Sequence, residues 1–239
     1  RETSTAEAPW VVVEGGDARY RDLTVASIVQ QAISQRIAEA APARLVHAPA
    51  IPRPLDDKRI LNAIDLEQKV DDAAYKDQLP RLQGRLNGLF RDPALKKRGV
   101  MAVFEGMDAA GKGGAIRRIT SALDARQYRV VPIAAPTDEE RARPYLWRFW
   151  RHLPGHNQMT IFDRWWYGRV LVERIEGFCD TDDWMRAFGE INDFEEQAVD
   201  GGIIVVKYWL QIGGDEQLAR FEAREKTGFK RHKIGPEDW

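Results

Sequence analysis

The sequence predicts an α/β fold built on a parallel sheet with helices on both faces, and two observations carry that expectation. From Leu55 onward, strand-like and helix-like segments alternate, and the strand-like ones are continuous apolar runs, the pattern of strands buried on both faces. Within that alternation, "VMAVFEGMDAAGKGGAIRRIT" (Val100–Thr120) sets Gly106-x-x-x-x-Gly111-Lys112 between an apolar run and a helix-like segment. Strand, glycine-rich loop and helix in that order form a phosphate cradle.

The elements follow in turn. Trp10 to Glu14 reads as a short strand, Gly15-Gly16 as a turn, and Asp17 as the N-cap of a helix with Leu23, Ile28 and Ile33 among its apolar positions. "APARLVHAPAIPRP" holds four prolines, which exclude a regular helix and predict an extended linker. Leu66 to Leu89 reads as largely helical, with Pro80 kinking or interrupting it. Then come a strand at Val100–Phe104, a helix at Gly113–Leu123, a strand at Tyr128–Ala134, a helix at Glu139–Trp150 and a strand at Met159–Phe162. A helix at Asp182–Val199, the strand "GIIVVKYWL" and a helix at Asp215–Arg224 complete the series. The chain is thus expected to divide at 1–40, 41–54 and 55–239.

Bulk properties narrow the function classes. A chain of 239 residues buries one good core and a second, partial unit. The net charge of -1 excludes a chain that is basic throughout, so a polyanion would need a local basic groove. No apolar run approaches the roughly 20 residues of a membrane span. A single cysteine, Cys179, excludes an internal disulfide and fits a reducing cytosol, so a cytoplasmic location without a membrane partner is expected.

The loop is the strongest chemical signal. Backbone N–H groups over Gly106, Ala109, Ala110, Gly111, Gly113 and Gly114 would bind phosphate oxygens at the helix N-terminus, with Lys112 and Arg117 adding charge. The hydroxyl residue that ordinarily follows such a lysine and holds magnesium is absent, since Gly113 stands there. Asp108 instead places an acid inside the loop, which repels phosphate unless a cation lies between them. It is expected either to bind magnesium or to orient the attacking group, the alternative being a carboxylate that only stabilises loop amides. Asp163, following a short apolar strand in "MTIFDRWWYGRVLVER", is placed as a second magnesium anchor. Arg164, Arg169 and Arg174 suit a row of phosphate oxygens. Trp165, Trp166 and Tyr167 are either core or a base-stacking wall.

Weaker signals surround these. "RARPYLWRFWRHLPGH" mixes arginines with aromatics, as a nucleic-acid groove does, but reads better as an amphipathic helix with an aromatic core face. Pro154 and Gly155 separate His152 from His156, so the histidines predict no metal cluster. The basic "GFKRHK" near the end is either a solvated tail or a lid closing over phosphates.

"FEGMDAAGKGGAIRRIT", "PTDEERARPYLWRFWRHLP", "IFDRWWYGRVLVERIEGF", "EINDFEEQAVDGGIIVVKYWL" and "FKRHKIGPEDW" together resemble the type-2 polyphosphate kinase family, from about Leu61 to Trp239. The resemblance implies a P-loop kinase with a lid that moves phosphate between inorganic polyphosphate and a nucleotide. It further implies Mg2+ held by Asp108 and Asp163, catalytic roles for Lys112, Arg164 and Arg169, and lid residues Lys230, Arg231 and Lys233. Where the family usually has serine after the Asp-Arg pair, this sequence has Trp165, a bulk expected to crowd Arg164 or narrow the acceptor pocket. "RETSTAEAPWVVVEGGDARYRDLTVASIV" resembles the last strand and helix of such a domain although it comes first, which implies a slice through a tandem protein or a permuted one. Tandem members resemble polyphosphate:AMP phosphotransferases.

The expected activity is therefore magnesium-dependent, in-line phosphoryl transfer from polyphosphate to a nucleotide, AMP foremost, with ADP or GDP open and no nucleic-acid partner. Homo-oligomerisation is left open. The competing readings are an ATP-dependent nucleotide kinase and a degenerate, non-catalytic polyphosphate-binding domain.

Overall fold

The computed structural model describes residues 9–38 and 64–227. The chain forms two compact units, Arg1–Val46 and His47–Trp239. In the first, helix α1 (Ala18–Ala38) starts where the Asp17 carboxylate accepts the Tyr20 N–H at 2.7 Å, as the N-cap reading requires. The expected strand at Trp10–Glu14 is not formed, and that stretch is irregular. An apolar run becomes a strand only against a ladder partner, and no described residue of this unit offers one.

The second unit holds α2 (Asp72–Leu89), β1 (Gly99–Gly106), α3 (Lys112–Thr120), β2 (Tyr128–Pro132), α4 (Asp138–Arg141) and α5 (Trp147–Trp150). β3 (Met159–Asp163), α6 (Val172–Ile175), α7 (Thr181–Asp200), β4 (Ile203–Leu210) and α8 (Gly214–Glu225) follow. The four strands lie in the order β2-β3-β1-β4 and every pairing is parallel. The α/β expectation therefore holds. β1 is central, with Val103 opposite Phe162 of β3 and opposite Lys207 of β4.

Alternation along β1 divides its side chains between two cores. Met101 and Val103 join Phe162, Phe149, Trp166 and the α7 residues Ala187, Ile191, Phe194 and Ala198 on one face. Val100, Ala102 and Phe104 join Ile161, Ile116 of α3 and Phe90 beyond α2 on the other. Helices thus cover both faces, which is why the strands read as unbroken apolar runs. No helix among the described residues is long and apolar enough to cross a membrane.

Three departures from expectation trace to particular residues. Leu66 to Asp71 is not helical: the Asp71 carboxylate accepts the Ala74 N–H at 2.8 Å and starts α2 there. α2 then runs through Pro80. Pro80 is exposed, so the Lys76 carbonyl that loses its partner is open to water. The helix expected at Glu139–Trp150 splits into α4 and α5, because Pro144 cannot continue it and disfavours helical geometry at Arg143. α4 opens on a capping box, Thr137 N–H donating to Glu140 and Glu140 N–H to Thr137.

α2 docks by covering the end of α3. Gln83 Nε2 donates to Arg118 O at 2.7 Å and Asn87 Nδ2 to Ala122 O at 2.8 Å, satisfying carbonyls the helix end leaves open. Pro80 opposes the helix that makes these contacts. Pro80→Ala should raise the melting temperature, adding up to about 3 kcal/mol of stability, and thermal denaturation followed by circular dichroism reads it. An unchanged or lower melting temperature would mean that Pro80 is accommodated without cost.

Candidate active site

The site forms at the carboxyl edge of the sheet, where β1 ends in the glycine loop. Gly106 has φ +133°, and an added Cβ would lie 2.1 Å from the Leu210 carbonyl oxygen at the end of β4. Only glycine fits so close an approach. The next residue locks the junction, Met107 N–H donating to Leu210 O at 3.2 Å. Ala109 (φ +62°) and Gly111 (φ +103°) give the loop two further left-handed turns, the latter opening α3 without a side-chain cap. The first N–H groups of α3, at Lys112 and Gly113, have no intrahelical acceptor, which leaves them for an anion.

Side chains hold four of the loop's carbonyls. Lys112 Nζ donates to Gly106 O at 2.8 Å and Met107 O at 3.1 Å. From α8, Gln217 Nε2 reaches Asp108 O and Arg220 Nη1 reaches Ala109 O, each at 3.0 Å. Lys112 is half-buried, and that burial lowers its pKa from the ordinary lysine value, while Glu105, Asp108 and Asp163 pull it back up. Glu105, the last side chain before the loop, is also half-buried, which raises its pKa. Its carboxylate accepts the Gly106 N–H at 3.2 Å.

Asp163 ends β3 in register with Phe104, and its carbonyl accepts the Ile133 N–H at 3.0 Å. Arg164 is exposed and adopts φ +68°, a conformation non-glycine residues rarely take. Its N–H donates to Phe104 O at 3.0 Å, so the turn is tied to the end of β1. Strain of this kind persists where surrounding packing holds it. Here the following residues are the anchor, since Trp165 and Trp166 are 9% and 0% exposed.

Arg169 is less free than expected. Its guanidinium lies 3.0 Å from Glu173 and stacks over the Tyr145 ring at 4.1 Å. Arg174 stacks over Trp184 at 4.0 Å instead of joining a phosphate row. Arg117 is exposed on α3. The lid residues Lys230, Arg231 and Lys233 lie outside the described residues.

Trp165, expected to crowd Arg164 or to narrow the acceptor pocket, is buried. The indole turns into the core, its ring centroid 4.1 Å from Tyr167 and 5.3 Å from Trp166. Its Nε1 is buried without a hydrogen-bond partner. The arginine- and aromatic-rich stretch likewise folds on itself: Arg143 and Arg151 flank the Trp147 ring and face Glu139, while Arg148 is buried against Glu140 at 3.4 Å. Those arginines are neutralised locally and form no open groove.

Glu105, Gln217, Arg220 and Arg224 were not singled out from the sequence. The first is masked by the apolar strand it ends. The other three share one signal, a 217/220/224 spacing that puts them on one helical face.

The model of the polyphosphate kinase 2 family matches residues 69–239. The chain belongs to the polyphosphate kinase 2 family. A polyphosphate:AMP phosphotransferase of Pseudomonas aeruginosa is 59% identical over 240 residues, covering all of this chain and 48% of that protein. Its namesake in Pseudomonas syringae pv. tomato is 52% identical, again over all of this chain and 48% of the relative. A solved Pseudomonas aeruginosa structure assigned to polyphosphate kinase 2 superposes with a TM-score of 0.85 at 57% identity, covering 100% of this chain and 49% of that one. The chain spans about half the length of the curated relatives it matches.

Two measurements test this site. Trp165→Ser would leave a cavity and cost about 3–5 kcal/mol, as large aromatic truncations do, lowering the denaturant midpoint while the rate per folded molecule stays unchanged. A faster variant would restore the crowding reading. The second concerns Lys112, whose charged form burial disfavours. An anion in the cradle stabilises that form and raises the pKa, so binding tripolyphosphate at about pH 9 should take up protons. Calorimetry in buffers of differing ionisation enthalpy reads the uptake, and its absence would contradict the burial of Lys112 beside the anion.

Proposed function

We propose that this site transfers a phosphoryl group between inorganic polyphosphate and a nucleotide, chiefly from polyphosphate to AMP to give ADP. The observation that supports it most is the loop, with its Asp108 and Ala109 carbonyls held by α8 and the open N–H groups of α3 beside it, next to the Asp163-Arg164 turn on the neighbouring strand. The names of the two Pseudomonas relatives supply donor and acceptor.

The residues fit a hard divalent cation such as Mg2+. Asp108 stands in the loop after β1 and Asp163 ends the neighbouring strand β3, and magnesium takes one or two carboxylates while keeping waters and substrate phosphates. Among the described residues no group of three or more His, Cys, Asp or Glu could form a full protein cage. When bound there, the ion would neutralise phosphate oxygens.

The chain's own groups account for the rest. Loop N–H groups and Lys112 hold the donor phosphates. An acceptor phosphate oxygen attacks the terminal phosphorus in line, the bond to the next bridging oxygen breaks, and the shortened chain leaves as an oxyanion. Arg164, exposed at the strand end, stabilises charge developing in that step. Arg169, already half neutralised by Glu173, contributes less. Lys230, Arg231 and Lys233 are assigned to a lid over the phosphates, and the reaction is placed in the cytoplasm. With the Trp165 indole in the core, that residue gives no support to a non-catalytic reading.

The test supplies polyphosphate as the only donor with AMP and follows ADP. Asp108→Asn and Asp163→Asn should each abolish turnover at ordinary magnesium levels, and Lys112→Ala should weaken both binding and rate. Turnover with ATP alone, and none with polyphosphate, would replace this reading with an ATP-dependent nucleotide kinase. Near-normal turnover in Asp108→Asn would remove its metal role.

A further inference from the structure

An acid within a phosphate cradle raises a charge problem that the fold answers with its own cation. Arg224, in the last turn of α8, places Nη1 3.4 Å from Asp108 Oδ2. One and two turns earlier, Arg220 and Gln217 hold the Ala109 and Asp108 carbonyls. Glu216 fixes the other side of Arg220, accepting its Nε at 2.7 Å. Phe221, only 5% exposed, anchors the helix in the body of the unit. One face of α8 therefore grips the backbone of two adjacent loop residues and the side chain of one. Ala109, Arg220, Ala223, Arg224 and Thr227 line an open pocket of about 270 Å³ at this junction. The pair is partly exposed, with side-chain exposures of 24% for Arg224 and 42% for Asp108. A pair so placed adds little to folding stability, so its effect falls on the potential an incoming anion meets.

We propose that Arg224 is a positioning residue that neutralises Asp108 and draws its carboxylate toward α8, so that the cradle accepts a phosphate chain without a divalent cation. Arg220 and Gln217 keep the loop carbonyls turned away from the anion while it does so. The inference rests on the phosphate-cradle reading of the loop given above.

A double-mutant cycle tests it, with inorganic tripolyphosphate as the probe, excess EDTA present, and calorimetric Kd as the readout. Arg224→Gln should raise Kd about tenfold, because Asp108 is left uncompensated. Asp108→Asn alone should tighten binding. The double variant should return to within about threefold of wild type, since no lone charge remains. Arg224→Lys, which keeps the charge, should bind far better than Arg224→Gln. A double variant as weak as Arg224→Gln would overturn the proposal, because Arg224 would then touch the anion itself or merely support the fold. Wild-type affinity in Arg224→Gln would overturn it as well. Lys112→Ala, titrated alongside, separates the two levels. If it binds like wild type, the cradle reading itself falls. If it weakens binding while the double variant stays as weak as Arg224→Gln, only the role of Arg224 falls.

Discussion

The approach of Gly106 to the Leu210 backbone is the contact on which the site depends. β1 and β4 pair from Gly99–Ile203 to Gly106–Leu210, and the chain leaves both strands at the same level. The loop therefore starts against the end of β4, and the helix that follows β4 cannot avoid it. A Cβ at position 106 would push the strands apart where the geometry is tightest. Everything α8 does to the loop follows from that junction.

A second anchoring acts on the other strand. Glu195 of α7 accepts the Trp166 indole N–H at 2.9 Å and the Lys207 ammonium at 2.7 Å, and Lys207 also reaches the Tyr167 hydroxyl at 3.3 Å. One carboxylate thus fastens the segment after Asp163-Arg164 to both α7 and β4. The left-handed Arg164 sits between a hydrogen bond to β1 and two buried tryptophans, which explains how a strained residue keeps its place. The network also raises the Lys207 pKa against its burial, through the hydrogen bond to Glu195.

How much of this was legible depended on how local each cause is. β1, the loop and α3 could be read because an apolar run, two glycines and a lysine within one short window determine them. Asp163 at the end of its strand was readable for the same reason. The run Val11–Val13 misled because β-propensity describes a side chain's fit to a sheet and cannot supply the ladder partner. The helix through Glu139–Trp150 was overextended because its apolar spacing hid the effect of Pro144. The arginines of that stretch admitted a groove only as the weaker reading, because charge is visible in sequence while pairing is not: Glu139 and Glu140 face them at distances of 3.4 to 3.7 Å. Arg224 was missed because Asp108 is 116 positions away. Nothing near position 224 hints at the loop, and only the parallel order of the strands brings the two together.

That separation along the chain governs when the loop can take its form. During synthesis, residues 106–112 exist long before 217, 220 and 224 do, and until then the Asp108 and Ala109 carbonyls lack the donors that turn them outward. Closing so long a loop is slow compared with forming α3 locally. The held loop conformation therefore requires that β4 has joined the sheet and α8 has docked. A nascent or partly unfolded chain can contain the complete glycine motif and still lack an ordered cradle.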